Sequence, residues 1–208
     1  RNFRETATSV VLNCSIGRFL PRTIKLADAV ICVSEKQKNM IIAKNYTLRS
    51  KMHLVYNPFS EISNIEINGS DFGYFGGPDC MKGFQILHKA LVNSKFSKTV
   101  KIHATKFPKT AGQSDSFRKL GFLFYDKLSE VAFEEVYKKV SSVIVPSVWH
   151  EPWPYVVVEA LVNGRFVVAS RVGGIPEQVH GCDGVKLFKA GDYVQLGEAI
   201  ELVNGLSK

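Results

Sequence analysis

The stretch HEPWPYVVVEALVNG, residues 150–164, places Glu151 and Glu159 eight positions apart with almost nothing polar between them. The apolar run from Tyr155 to about Val162 reads as a helix that follows a loop, with Glu159 one turn inside it. At about 1.5 Å per residue, eight residues hold the two backbones at most on the order of 12 Å apart. The carboxylates of an acid/nucleophile pair in a retaining glycosidase stand roughly 5 Å apart, so this spacing disfavours that chemistry. Ionised carboxylates are pure acceptors and suit sugar and ribose hydroxyls. Two of them at this distance fit the gripping of different parts of one long, hydroxyl-rich ligand. The alternative, a solvated loop residue and a surface helix residue, is disfavoured for Glu159 by the valines before it and Ala160-Leu161 after it.

Outward from this segment, short apolar runs alternate with helical patterns. Strands are expected at AVICVS (29–34), Met52–Tyr56, DFGYFGG (71–77), TVKIHA (99–104), GFLFY (121–125), SVIVPS (142–147) and RFVVAS (165–170). Helices are expected from a capping box of Ser34 and Gln37 to about Lys44, at about 83–94, at about 129–140, after Pro176, and at about 192–204. Asn57-Pro58 reads as a turn or hinge, and the weakly patterned residues 60–70 as a connection between two units. This order predicts an α/β fold, a parallel sheet with helices on both faces. Ligands of such sheets bind beyond the carboxyl ends of the strands.

Three loops stand at such ends. FGGPDCMKGF has paired glycines and a lysine ahead of a helix, as a phosphate-binding turn does, yet it matches neither the triphosphate P-loop nor the dinucleotide fingerprint. By itself the signal is weak, since paired glycines more often make just a tight turn. PSVWHEPWPY is the second loop, and SRVGGIPE the third. In the last, Gly173-Gly174 precede Pro176, and free amides at a helix start attract phosphate oxygens.

Composition sets the wider bounds. At 208 residues, 45% hydrophobic and 22% charged, the chain is an ordinary globular protein large enough for a substantial core. No apolar run reaches the roughly 18 residues of a membrane-spanning helix. Cys14, Cys32, Cys80 and Cys182 form no C-x-x-C pair, which indicates buried, reduced thiols and a cytoplasmic setting rather than zinc or disulfides. A net charge of +8 favours anionic partners, but the 27 basic residues are dispersed and carry no nucleic-acid signature. Nucleic acid is therefore not an expected partner. Peripheral contact with an anionic membrane is compatible with the charge. The chain opens on Arg1 without an initiator Met or signal pattern, so a cut or processed chain is expected.

PSVWHEPWPYVVVEALVNGRFVVASRVGGIPE, residues 146–177, resembles the signature region of the family four retaining glycosyltransferases in its E-x7-E element, its spacing to the next strand and its GG-x-P-E turn. ADAVICVSEKQKNMI and KMHLVYNPF are similar to that family's crossing between its two domains, and FGGPDCMKGF resembles its phosphate loop. The likeness covers about residues 20–208. It implies the carboxyl-terminal half of a GT-B enzyme. Residues 1–57 would be the remnant of an acceptor-side domain and hinge, and 58–208 a Rossmann-like nucleotide-sugar-binding domain. The implied reaction is retaining transfer of a sugar from a nucleotide-diphosphate sugar to a sugar, lipid or protein acceptor, with no metal and no separate cofactor. In this resemblance Glu151 is the catalytic candidate, Glu159 takes the ribose hydroxyls and Lys82 the diphosphate. Gly76, Gly77, Trp153, Pro154, Tyr155, Gly173 and Gly174 complete the donor-binding set. There are two departures from the pattern. Gly77 stands where the family usually has Arg, and Pro154, which has no N–H, stands where it usually has Gly. Arg171 is the candidate replacement charge. With so short an acceptor side, the chain is expected to bind donor without catalysing transfer. A non-catalytic donor-binding relic and a basic docking module are the rival readings.

Overall fold

The computed structural model describes residues 24–59, 65–93, 100–105, 115, 117–126 and 128–206. The chain divides into two compact units, Arg1–Tyr56 and Asn57–Lys208.

In the first unit β1 (Val30–Cys32) pairs in parallel with β2 (Met52–Leu54), and α1 (Glu35–Lys44) and a 3-10 segment (Tyr46–Lys51) lie between them in sequence. Cys32, Leu48 and Met52 form its buried core. Helix α1 starts as a variant of the expected capping box. Ser34 Oγ accepts from Gln37 N at 3.2 Å, while the Gln37 side chain accepts from Val33 N rather than from the cap residue itself.

The second unit holds a six-stranded, all-parallel sheet in the order β5-β4-β3-β6-β7-β8. Its strands are β3 (Asp71–Tyr74), β4 (Ile102–Thr105), β5 (Phe122–Tyr125), β6 (Val140–Val145), β7 (Phe166–Ser170) and β8 (Val185–Phe188). Its helices include α2 (Phe84–Asn93), α3 (Glu130–Tyr137), α4 (Tyr155–Val162), the short α5 (Ile175–Gln178) and α6 (Tyr193–Leu206). Strand β6 is buried throughout, and its side chains alternate between two cores. Ile144 joins Phe72, Leu87, Ile102, Leu196 and Ile200 in one core, and Val143 and Val145 join Val157, Val167 and Ile175 in the other. The strand order reverses between β3 and β6, the point at which doubly wound sheets open a crevice.

Several element limits differ from the sequence reading. The helix expected at 129–140 ends at Tyr137, because Val140 already belongs to β6, which starts two residues earlier than expected. Strand β8 was not expected. Its four residues, VKLF, hold one lysine among three apolar residues and are too short to register as a run. Residues 94 and 99, at the edges of an expected helix and strand, lie outside the described residues, as does Cys14. Cys32 is buried, but Cys80 and Cys182 are exposed, because each sits in a loop next to a helix end rather than in the core.

Two buried polar groups hold the unit together. Arg165 is 2% exposed and donates to the backbone carbonyls of Ile65, Glu66, Tyr137, Val140 and Asn163, with its guanidinium 4.4 Å above the Tyr137 ring. This fixes residues 65–66 to the amino end of the sheet, helped by Ile65 N donating to Asn163 Oδ1. His103, on β4, bridges the Asp71 carboxylate and the Tyr125 hydroxyl, each at 2.9 Å.

Candidate functional site

The loop after β3 and the loop after β6 meet at the β3/β6 crossover and enclose a cleft of about 240 Å³. Gly76, Lys82, Glu151, Pro154 and Tyr155 line it, together with Tyr74, Phe75, Ser147 and Val156. The two loops are joined through their backbones, with Val148 N donating to Met81 O at 2.9 Å.

Glu151 is a buried carboxylate in the cleft lining, only 3% exposed. Lys82 Nζ donates to its Oε1 at 2.7 Å, and Ser147 Oγ donates to the same oxygen at 2.7 Å. Both contacts fall on Oε1. Ser147 is fully buried, and its carbonyl accepts from Ser170 Oγ at 2.6 Å. From the third loop, Gly174 N donates to Glu151 O at 2.7 Å. Gly173 lies so close that a Cβ there would stand 2.1 Å from Glu151 O. The Gly-Gly pair does not line the cleft. It sits behind Glu151 and holds that residue's backbone, a role different from the phosphate contact that free amides at a helix start suggest.

Lys82 is 38% exposed and its ammonium sits 5.3 Å from the centre of the Trp149 ring. Gly77 has φ +66 and does not line the cleft, and its carbonyl accepts from Tyr74 Oη at 2.8 Å. Pro154 caps α4, and its carbonyl accepts from Gln178 Nε2 at 3.0 Å and from Val157 N at 3.2 Å. The α4 helix points its first turn at the cleft through Tyr155 and Val156. Glu159 is one turn further along, outside the cleft lining, on the exposed side of α4. Partial burial nevertheless pushes its carboxyl pKa up, and its charge is felt by Tyr137. Trp153 is half-buried beside the cleft and does not line it. Arg171 is exposed at the end of β7 and is not among the lining residues. Ser147, Trp149 and Tyr74 were not singled out from sequence. Trp149 meets Lys82 from a loop far along the chain, while Tyr74 and Ser147 bond within their own loops, and no local pattern marks any of the three.

The sequence profile of the family described as "Glycosyl transferases group 1" matches residues 72–203, which include every lining residue of the cleft. The chain belongs to this family. An uncharacterised glycosyltransferase of Methanocaldococcus jannaschii is 27% identical over 190 residues, which are 86% of this chain and 50% of that protein. An uncharacterised 42.6 kDa protein of the cps region of Klebsiella pneumoniae is 26% identical over 161 residues, 74% of this chain and 41% of the relative. The chain thus spans half or less of the length of these relatives. Among solved structures, HepE of Anabaena in complex with UDP and glucose superposes with a TM-score of 0.67 at 20% identity, covering 90% of this chain and 58% of HepE. The parallel sheet with helices on both faces matches the GT-B glycosyltransferase fold. Among the described residues no helix is long and apolar enough to cross a membrane, and no three His, Cys, Asp or Glu side chains are grouped to hold a metal ion.

Proposed function

We propose that this chain carries the donor-binding part of a retaining glycosyltransferase of the family four type, which takes its sugar from a nucleotide-diphosphate sugar. The observation that carries this reading is the convergence of Lys82, Glu151 and the first turn of α4 on one cleft at the strand-order reversal. Lys82 and the amides of Tyr155 and Val156 offer positive charge to the diphosphate. Glu151, held through Oε1, keeps its other oxygen for a hydroxyl of the donor sugar near the reacting carbon. Glu159 accepts from the ribose hydroxyls, Gly76 lets the backbone come close to the phosphates, and Trp153 and Tyr155 flank the donor.

In the reaction, the bond from the anomeric carbon to the diphosphate breaks while the acceptor hydroxyl attacks from the same face. The departing diphosphate takes the hydroxyl proton, and the products are the glycosylated acceptor and a nucleoside diphosphate. Lys82 and the α4 amides stabilise the charge that develops on the leaving group, so this reading calls on no metal.

The test is a titration of the chain with uridine, guanosine and adenosine diphosphates and their sugar conjugates, recording amide shifts. Localised shifts at residues 75–83, 147–156 and Glu159 with at least one nucleotide are expected. Their absence with every nucleotide refutes the donor-site reading. The UDP found in HepE makes the uridine series the first arm of the test.

A further inference from the structure

The loop after β3 offers one cation to the cleft, Lys82, and that cation does not project freely. Its Nζ is shared between two partners from the loop after β6: the carboxylate of Glu151 at 2.7 Å and the face of Trp149 at 5.3 Å from the ring centre. The second distance lies within the roughly 6 Å over which a ring face attracts an ammonium. The two partners differ in what an incoming anion does to them. A diphosphate competes with Glu151 for the ammonium, since both are anionic oxygen acceptors. It does not compete with Trp149, whose ring offers a face rather than a lone pair.

We infer that Trp149 is a positioning residue for Lys82: its ring keeps the ammonium at the mouth of the cleft when the diphosphate displaces the Glu151 carboxylate, and so supports diphosphate binding through Lys82 without touching the nucleotide. The inference deepens the proposed function and rests on the cleft being a diphosphate site. Three features fit it. The ring is part-exposed at the rim, and it is not among the residues lining the cleft. The latch from Val148 N to Met81 O fixes the backbone next to both partners, so ring and ammonium stay in register. Ser147 Oγ keeps its own hydrogen bond to Glu151 Oε1, so the carboxylate retains a partner when Lys82 turns to the phosphates.

The experiment is a double-mutant cycle on the affinity of the tightest-binding nucleoside diphosphate, measured by calorimetry with wild type, Trp149→Leu, Lys82→Ala and the double variant. Trp149→Leu is expected to weaken binding about three- to tenfold, the scale of one partly desolvated cation–π contact. In the Lys82→Ala background the same change is expected to have no effect. Trp149→Phe, which keeps a ring face, is expected to recover part of the loss. Melting curves matching wild type show that the variants are folded. If Trp149→Leu costs the same in both backgrounds, the ring acts on the nucleotide directly and the inference falls. If Trp149→Leu in the wild-type background costs nothing, it falls as well. Failure of the wild-type chain to bind any nucleotide would be a different result, because that removes the donor-site reading itself.

Discussion

Gly173→Ala isolates how the third loop holds Glu151. Gly173 has φ +59, and a Cβ built on it would lie 2.1 Å from Glu151 O, 2.6 Å from Glu151 N and 2.9 Å from its carbonyl carbon. The left-handed conformation alone costs a non-glycine residue about 1–2 kcal/mol. The overlap is with backbone, which cannot rotate away, so one loop must move, and overpacking of this kind costs about 1–3 kcal/mol more. The expected loss is therefore about 2–5 kcal/mol. Gly181→Ala supplies the control, since Gly181 has φ +75 but nothing within 4 Å of the added atom. Only the conformational cost of about 1–2 kcal/mol applies there.

Urea denaturation of both variants measures the difference, and calorimetry with a nucleotide sugar measures the function. Gly173→Ala should be less stable than Gly181→Ala by about 1–3 kcal/mol, the overlap contribution. It should also bind donor at least about tenfold more weakly, a loss of about 1.4 kcal/mol, because Glu151 shifts against Lys82 and Ser147. Gly181→Ala should bind donor as wild type does. Equal destabilisation by the two alanines would show that the close approach to Glu151 carries no energy. A destabilised Gly173→Ala with unchanged donor affinity would show that Glu151 need not be held in place.

Two further substitutions probe charge and burial. Glu159 has its carboxyl pKa raised by burial, so the folded state binds that proton more tightly than the unfolded chain and the ionised form costs stability above the folded pKa. Glu159→Gln should therefore melt no lower than wild type at pH 7–8, with the difference vanishing below the unfolded pKa of about 4.3. Nucleoside diphosphate should bind it roughly 10- to 100-fold more weakly, a loss of charged hydrogen bonds. Unchanged affinity in calorimetry would remove Glu159 from the donor site. Arg165→Met leaves the carbonyls of Ile65, Glu66, Tyr137, Val140 and Asn163 without their common donor, and should cost about 3–5 kcal/mol by urea denaturation, with Arg165→Lys recovering part of it.

What the sequence made legible was whatever repeats locally. Alternation of apolar runs and helical patterns gave the parallel α/β order, and Ser34 gave the start of α1. The short edge strand β8 escaped because four residues carry too little pattern, and the start of β6 was absorbed into the helix before it. In the site, Glu151 and Lys82 stood out by residue type and spacing, but they meet across 69 positions, a pairing that only the β3/β6 neighbourhood creates. Trp149 acquires its contact with Lys82 through the same neighbourhood, whereas Ser147 bonds Glu151 within its own loop and Ser170 at the end of β7. Arg165 reads in sequence as the first residue of a strand, and its role appears only when carbonyls as distant as that of Ile65 converge on it.

Gly77, which stands where the resemblance leads one to expect arginine, has a backbone reason for being glycine. Read as sequence, it is a missing positive charge. In the structure its φ of +66 belongs to the left-handed region, where an arginine is strained, so the loop's path itself selects glycine here. The loop is braced from beneath instead. Tyr74 is 1% exposed, and its hydroxyl donates to Gly77 O at 2.8 Å and lies 3.4 Å from Lys82 O, which ties the two ends of the turn together. Burial, with a smaller contribution from the charge of Asp79, pushes the Tyr74 phenol well above its ordinary pKa, so it remains a donor across the physiological range. A hydrogen bond from below cannot replace an arginine's attraction for phosphate. If the cleft is the diphosphate site proposed above, Lys82 is presented by a turn already tied at both ends, which lowers the ordering cost of binding.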